Sequence, residues 1–205
     1  MRGPWSRAAW REQRGTTLPE LVIAMTLFGL LLVPTILLWQ TTQQSYFESA
    51  EMAEAQGNVR VAVDQVAHDV RRAGLDLTGT AFASQAVIPA ATATTLQVRM
   101  DLNDDGGITA SSDEDVTYAF DAATQRLTRN GQTLAESIGA AAFTYWWSPV
   151  VGTGCGAGAL TSGQTPTTAQ RTCIRRVTIT LTGQATIGGQ TVTRTARTDV
   201  DLRAR

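Results

Sequence analysis

The chain has 205 residues and a formal net charge of −1 at pH 7, room for one membrane helix and one globular domain of ordinary size. A balance so close to zero argues against nucleic-acid binding driven by bulk charge. Every basic residue is an arginine, and the absence of lysine excludes Schiff-base and lysine-base chemistry.

The first segment carries Arg2, Arg7, Arg11 and Arg14 against Glu12 and ends at Gly15. Glu20 follows, and from Leu21 to Trp39 there is no charge at all. At about 1.5 Å per residue such a run just crosses a hydrocarbon core of about 30 Å. It exceeds the apolar region of a signal peptide, about 7–15 residues, and a cleavable signal would place a small-residue site after it. No A-x-A site stands directly after the run; the candidate junction, Gly15/Thr16, precedes it. Cleavage there removes a short basic leader and leaves the helix on the mature chain. The arginines predict a cytoplasmic N-terminus and export of everything beyond Trp39. Glu20 is costly in lipid unless paired or protonated. The helix N-terminus offsets only about 0.3–1 kcal/mol of that, so a stronger partner is expected. The bland alternative is a signal anchor with its glutamate among the headgroups.

Gly15-Thr16-Thr17-Leu18-Pro19-Glu20-Leu21 resembles the class III signal of type IV prepilins and type II secretion pseudopilins. The resemblance implies a prepilin peptidase that cuts after Gly15 and methylates the new N-terminus at Thr16. It also implies that Glu20 pairs with the Thr16 amine of a neighbouring subunit during assembly. The family usually has Phe where Thr16 stands and an aliphatic residue where Pro19 stands. Pro19 falls in the first helical turn, where a missing N–H costs little.

Gln40 to Ala73 reads as a continuation of the helix, with Met52, Ala55, Val59, Val63, Val66, Val70 and Ala73 on one buried face and Gly74 as its stop. Pro34 favours a kink, and Gly29 and Gly57 are weaker irregularities. The ending Asp69-Val70-Arg71-Arg72-Ala73-Gly74 resembles the helix end of PilW-like minor pilins and, more loosely, of J-type pseudopilins. Without the family, Asp69 and Arg72 read as a surface pair worth a few tenths of a kcal/mol. His68 lies about 200° around the helix from Val66, away from the docking face. It reads as a surface or subunit-contact residue.

Beyond Leu75 the period changes to two. Strands are expected at Thr94–Leu102, Asp115–Phe120, Gln125–Arg129, Gln132–Ala135, Ala141–Trp147, Ile174–Leu181 and from Thr191 to about Leu202. Asn130-Gly131 is a two-residue hairpin signal. Short connectors and the lack of a second long helix predict an α+β fold: a long N-terminal helix, transmembrane then amphipathic, on an antiparallel β-sheet head. The expected divisions are a leader at 1–15, a transmembrane and assembly helix at 16–39, its amphipathic continuation at 40–74 and the head at 75–205. Val116 to Ile138 also looks like the central hairpins of the same pilin group.

Asp101-Leu102-Asn103-Asp104-Asp105-Gly106-Gly107-Ile108 contains the opening half of a calcium loop. Asp101, Asn103, Asp105 and the Gly107 carbonyl are candidate ligands. Ser112 stands where a bidentate glutamate belongs, so Asp113, or its neighbours Glu114 and Asp115, would have to reach back. The alternative is a solvated acidic tip. Cys155 and Cys173, the only cysteines, read as one disulfide in an exported domain; paired metal thiolates would favour shorter spacing and a nearby histidine. Alternation sends Trp146 and Trp147 to opposite faces, one into the core and the other exposed as a subunit contact or, as the favoured use, packed under Gly152–Gln170. No nucleophile elbow, phosphate loop or carboxylate pair suggests an enzyme.

These readings lead to an expected minor pilin of PilW-like type, anchored once in the inner membrane. Its expected partners are other pilins through the N-terminal helix, the prepilin peptidase, the inner-membrane assembly machinery and membrane lipid. A J-type pseudopilin, or an anchored exported binding domain that never polymerises, are the alternatives.

Overall fold

The protein is described by a computed structural model covering residues 15–82, 86–110 and 112–202. The basic segment with Arg2, Arg7, Arg11 and Arg14 lies outside the described residues. Helix α1, Leu18–Arg72, runs unbroken through Gly29, Pro34 and Gly57. Its first bond is donated by the Leu21 N–H to the Thr17 carbonyl at 3.1 Å, which puts Pro19 and Glu20 in the first turn. Pro19 therefore removes only an N–H that the helix leaves unpaired anyway. The chain divides into two compact units between Phe47 and Glu48.

From Leu21 to Trp39 α1 is uncharged and predominantly apolar, and its most apolar window has a mean hydropathy of 2.6 with no residue buried. This helix is long and apolar enough to cross a membrane. Its few hydroxyls bond back to the preceding turn: Thr26 Oγ1 to the Ile23 carbonyl at 2.8 Å and Thr35 Oγ1 to the Leu31 carbonyl at 2.7 Å. Polar side chains in an apolar helix are thereby satisfied without an outside partner.

In the second unit α1 buries Ala55, Val59, Ala62, Val63, Val66, Ala67, Asp69 and Val70. The expected stripe is present, widened by the small residues beside it. It ends at Gly74, whose φ of 77° is the left-handed conformation that glycine adopts without a side-chain clash. The Gly74 N–H then donates to the Arg99 carbonyl at 2.9 Å and ties the helix end to the first strand.

The head contains strands β1 (Thr95–Arg99), β2 (Asp115–Asp121), β3 (Arg126–Arg129), β4 (Gln132–Ala135), β5 (Ile138–Trp147), β6 (Val150–Val151), β7 (Gly154–Cys155), β8 (Thr161–Gly163), β9 (Ile174–Ile187) and β10 (Gln190–Asp201). A four-residue helix α2 (Thr168–Arg171) lies between β8 and β9. The single expected sheet is in fact two four-stranded antiparallel sheets, ordered β1-β2-β3-β4 and β10-β9-β5-β8, with β6-β7 as a separate hairpin. Ser137, φ 58°, stands at the junction of the two sheets. The chain turns sharply between β4 and β5, and β5 pairs with β9, far along the sequence, instead of with its predecessor.

Both sheets and α1 share one core, in which Leu96, Val98, Tyr118, Phe143, Tyr145, Val177, Ile179 and Leu181 are fully buried. Asn130 and Gly131, φ 50° and 79°, form the β3–β4 turn with both central residues left-handed, as the dipeptide predicts. β1 is shorter than the alternation implied, because the chain leaves the sheet after Arg99; Met100 is nevertheless buried.

Candidate functional site

Three places on the chain were singled out by chemistry. At the N-terminal motif, Gly15, Thr16 and Thr17 form an exposed segment without regular structure before α1. Glu20 is exposed in the first turn, and among the described residues it has no hydrogen bond or ion pair. It is flanked by exposed Leu18, Leu21, Val22 and Ile23. A carboxylate without a partner among the described residues, at the head of an apolar helix, is an unsatisfied group once water is withdrawn.

The acidic loop folds on itself. Asp101 is fully buried, and its two oxygens accept the Asp104 N–H at 2.7 Å and the Gly106 N–H at 3.0 Å. Asn103 Oδ1 accepts the Asp105 N–H at 3.1 Å, and its amide donates to Asp105 Oδ2 at 2.9 Å. Asp105 Oδ1 takes the Gly107 N–H at 2.8 Å. The residue that reaches back is Glu114. Its oxygens accept the N–H groups of Leu102 (3.1 Å), Asn103 (3.3 Å) and Thr109 (3.0 Å). The bond from Thr109, set against a smaller opposing effect of burial, holds the Glu114 carboxyl below its usual range. Asp113 is drawn elsewhere, onto Arg129 Nη1 at 2.9 Å.

Of the candidate calcium ligands Asp101, Asn103, Asp105, Gly107 and Asp113, the side chains of Asp101, Asn103 and Asp105 accept N–H groups within the loop, whereas Asp113 is paired with Arg129 outside it. Among the described residues no group of three or more His, Cys, Asp or Glu side chains is placed to hold a metal. The alternation of short oxygen side chains serves backbone N–H groups, which such residues satisfy in tight loops with or without an ion.

Cys155 and Cys173 form a disulfide with a Cα–Cα distance of 5.4 Å. It fastens the β6–β7 hairpin to the start of β9, where Cys173 is buried. Trp147 is the buried member of the tryptophan pair and lies over Gly163, where a Cβ added to the glycine would come within 2.6 Å of the ring. Trp146 is half-exposed and donates to Thr178 Oγ1 at 2.9 Å. It is thus the buried Trp147, and not its more exposed neighbour, that lies under Gly163 of the 152–170 segment.

A polar cluster escaped the sequence reading. Asp69 is not half of a surface pair. It is 3% exposed, and its Oδ2 accepts the Tyr118 hydroxyl at 2.6 Å and Arg129 Nε at 3.1 Å. Its Oδ1 accepts Gln65 Nε2 at 3.3 Å and lies 3.1 Å from His68 Nδ1. Among the described residues Arg72 makes no bond to it. Burial alone would raise the Asp69 pKa, but the bonds from Tyr118 and His68 and the Arg129 charge together hold it below the usual range. Burial, and then the Asp69 carboxylate, push the Tyr118 hydroxyl well up.

The signal for this cluster was present. Asp69 stands three residues after Val66 and four before Ala73, on the buried stripe itself, which a solvated carboxylate would avoid. His68 is exposed, as its helix angle predicts.

No family model, curated protein or solved structure matches the chain. Its functional reading therefore rests on these residues and on the resemblance of the Gly15–Leu21 motif.

Proposed function

We propose that this protein is a minor pilin of PilW-like type, held once in the inner membrane by α1 with a cytoplasmic N-terminus and an exported head. In this reading a prepilin peptidase cuts after Gly15, Thr16 becomes the methylated N-terminus, and α1 carries the subunit into a pilus or its priming complex through other pilins and the inner-membrane assembly machinery. The observation that carries the proposal is Glu20. It is an exposed carboxylate without a partner among the described residues, five residues past Gly15, at the head of a helix whose next nineteen residues are uncharged. Such a group is tolerated in a packed apolar environment if it is protonated or if a cation meets it, and the amine of a neighbouring Thr16 is of the right charge and size to do so.

A J-type secretion pseudopilin would share the helix and the sheet plan; the pair Cys155 and Cys173 with the Asp101–Gly106 tip favours the pilin. Glu20→Ala tests the proposal. The variant is expected to be inserted and cleaved normally but to lose co-purification with other pilins and incorporation into filaments. Unchanged incorporation would falsify the role of Glu20 and favour an anchored domain that does not polymerise.

A further inference from the structure

We infer that the lipid-contacting part of α1 continues past Trp39 to Phe47, and that Trp39, Tyr46 and Phe47 form an aromatic collar in the headgroup layer where the helix emerges. The inference rests on the reading of α1 as a membrane span and fixes where that span meets water. Its occupant is the phospholipid interface.

Charge gives the first argument. No acidic, basic or histidine side chain occurs between Glu20 and Glu48. At about 1.5 Å per residue this window is about 40 Å long, close to a bilayer with its headgroup layers, whereas Leu21–Trp39 alone matches only the hydrocarbon core. The division of the chain into two units falls between Phe47 and Glu48, the bond at which charge returns, and Glu51 and Glu54 follow at once.

Composition gives the second. Gln40-Thr41-Thr42-Gln43-Gln44-Ser45 is rich in hydrogen-bonding groups and free of charge, a chemistry suited to headgroups rather than to hydrocarbon. Thr41 Oγ1 donates back to the Leu38 carbonyl at 2.9 Å, and Thr42 Oγ1 donates to the same carbonyl at 2.8 Å. Neither hydroxyl then demands bulk water.

The aromatic residues supply the third. Trp39, Tyr46 and Phe47 are 61%, 75% and 63% exposed, so the fold of the head does not explain them. Trp39 and Tyr46 are two turns apart and share one side of α1, and aromatic rings with a polar handle concentrate at membrane–water interfaces.

The test places single nitroxide labels on the full-length protein in phosphatidylethanolamine–phosphatidylglycerol vesicles. The substitutions are Leu31→Cys, Thr42→Cys, Ser45→Cys, Ala50→Cys and Ala53→Cys; the native cysteines are held in their disulfide. Relaxation by oxygen is compared with relaxation by a water-soluble nickel chelate. Oxygen is expected to dominate at Leu31 and the chelate at Ala50 and Ala53, with Thr42 and Ser45 intermediate and neither relaxant dominant. Tyr46→Ser with Phe47→Ser should move the crossover by about one turn toward Trp39. Chelate dominance at Thr42 or Ser45 with Leu31 still in lipid overturns the inference and leaves the span intact. Chelate dominance at Leu31 overturns the membrane reading itself.

Discussion

Asp69 shows how one side chain can be misjudged by its neighbours in sequence and corrected by those in space. Its partners Tyr118 and Arg129 are 49 and 60 residues away. Removing its charge leaves Arg129 short of one partly buried partner, so Asp69→Asn should destabilise the head by about 2–3 kcal/mol at pH 7. The folded protein holds this carboxyl below its ordinary value. The contribution is therefore complete above the ordinary aspartate pKa of about 3.9 and is lost as pH falls through the lower folded value. Urea titration of the full chain in detergent should show a gap between native and variant that narrows below about pH 4. An equal gap at pH 7 and at about pH 3 would mean that shape, not charge, is at issue.

The same scale decides the acidic loop. Asp101, Asp105 and Glu114 already commit their oxygens to N–H groups, so millimolar calcium is expected to leave the melting temperature unchanged. Glu114→Gln should lower it, because an amide oxygen is a weaker acceptor of several N–H groups than a carboxylate; a loss of about 1–2 kcal/mol is expected. A calcium-dependent rise in melting temperature would show that the loop opens to take the ion.

At the scale of elements, the docking of α1 depends on Gly183 in β9. A side-chain carbon there would fall 2.6 Å from Val59 Cγ2 and 3.2 Å from the Ala55 carbonyl. Helix and strand are close because no side chain at this position intervenes. Gly183→Val should push them apart and cost about 1–3 kcal/mol, read as a lowered denaturation midpoint with an unchanged slope.

The disulfide works on a different element, the irregular stretch from Ser148 to Cys173. Closing a loop with a sequence separation of 18 limits the unfolded chain and stabilises the fold by about 3 kcal/mol. Replacing both cysteines by serine should lower stability by that order and expose Trp147, visible as a red shift in its emission. Unaltered emission would mean that β8 and Gly163 hold their place over the ring without the covalent tie.

For the whole molecule, legibility in the sequence followed the range of the forces involved. The 3.6-residue period that lays Ala55 to Ala73 on a core, the two-residue period of Val177, Ile179 and Leu181, and the left-handed pair Asn130-Gly131 are local. Each appears where the sequence places it. The disulfide was legible because two cysteines allow only one pairing. The apolar, charge-free stretch after Glu20 is a property of composition, so a helix able to cross a membrane followed from the residues alone.

Tertiary structure decided the rest. The split into two sheets depends on whether β5 joins β4 or β9, a contest between long-range pairings that periodicity does not register. Asp69 is buried because Tyr118 and Arg129 arrive beside it from another element, and Asp113 leaves the acidic loop because Arg129 offers it a charge. Sequence patterns report what each segment prefers when solvent is its only neighbour. Which polar group meets which is set when segments far apart in the chain are brought together, and the cost of an unpaired buried charge then selects the partners.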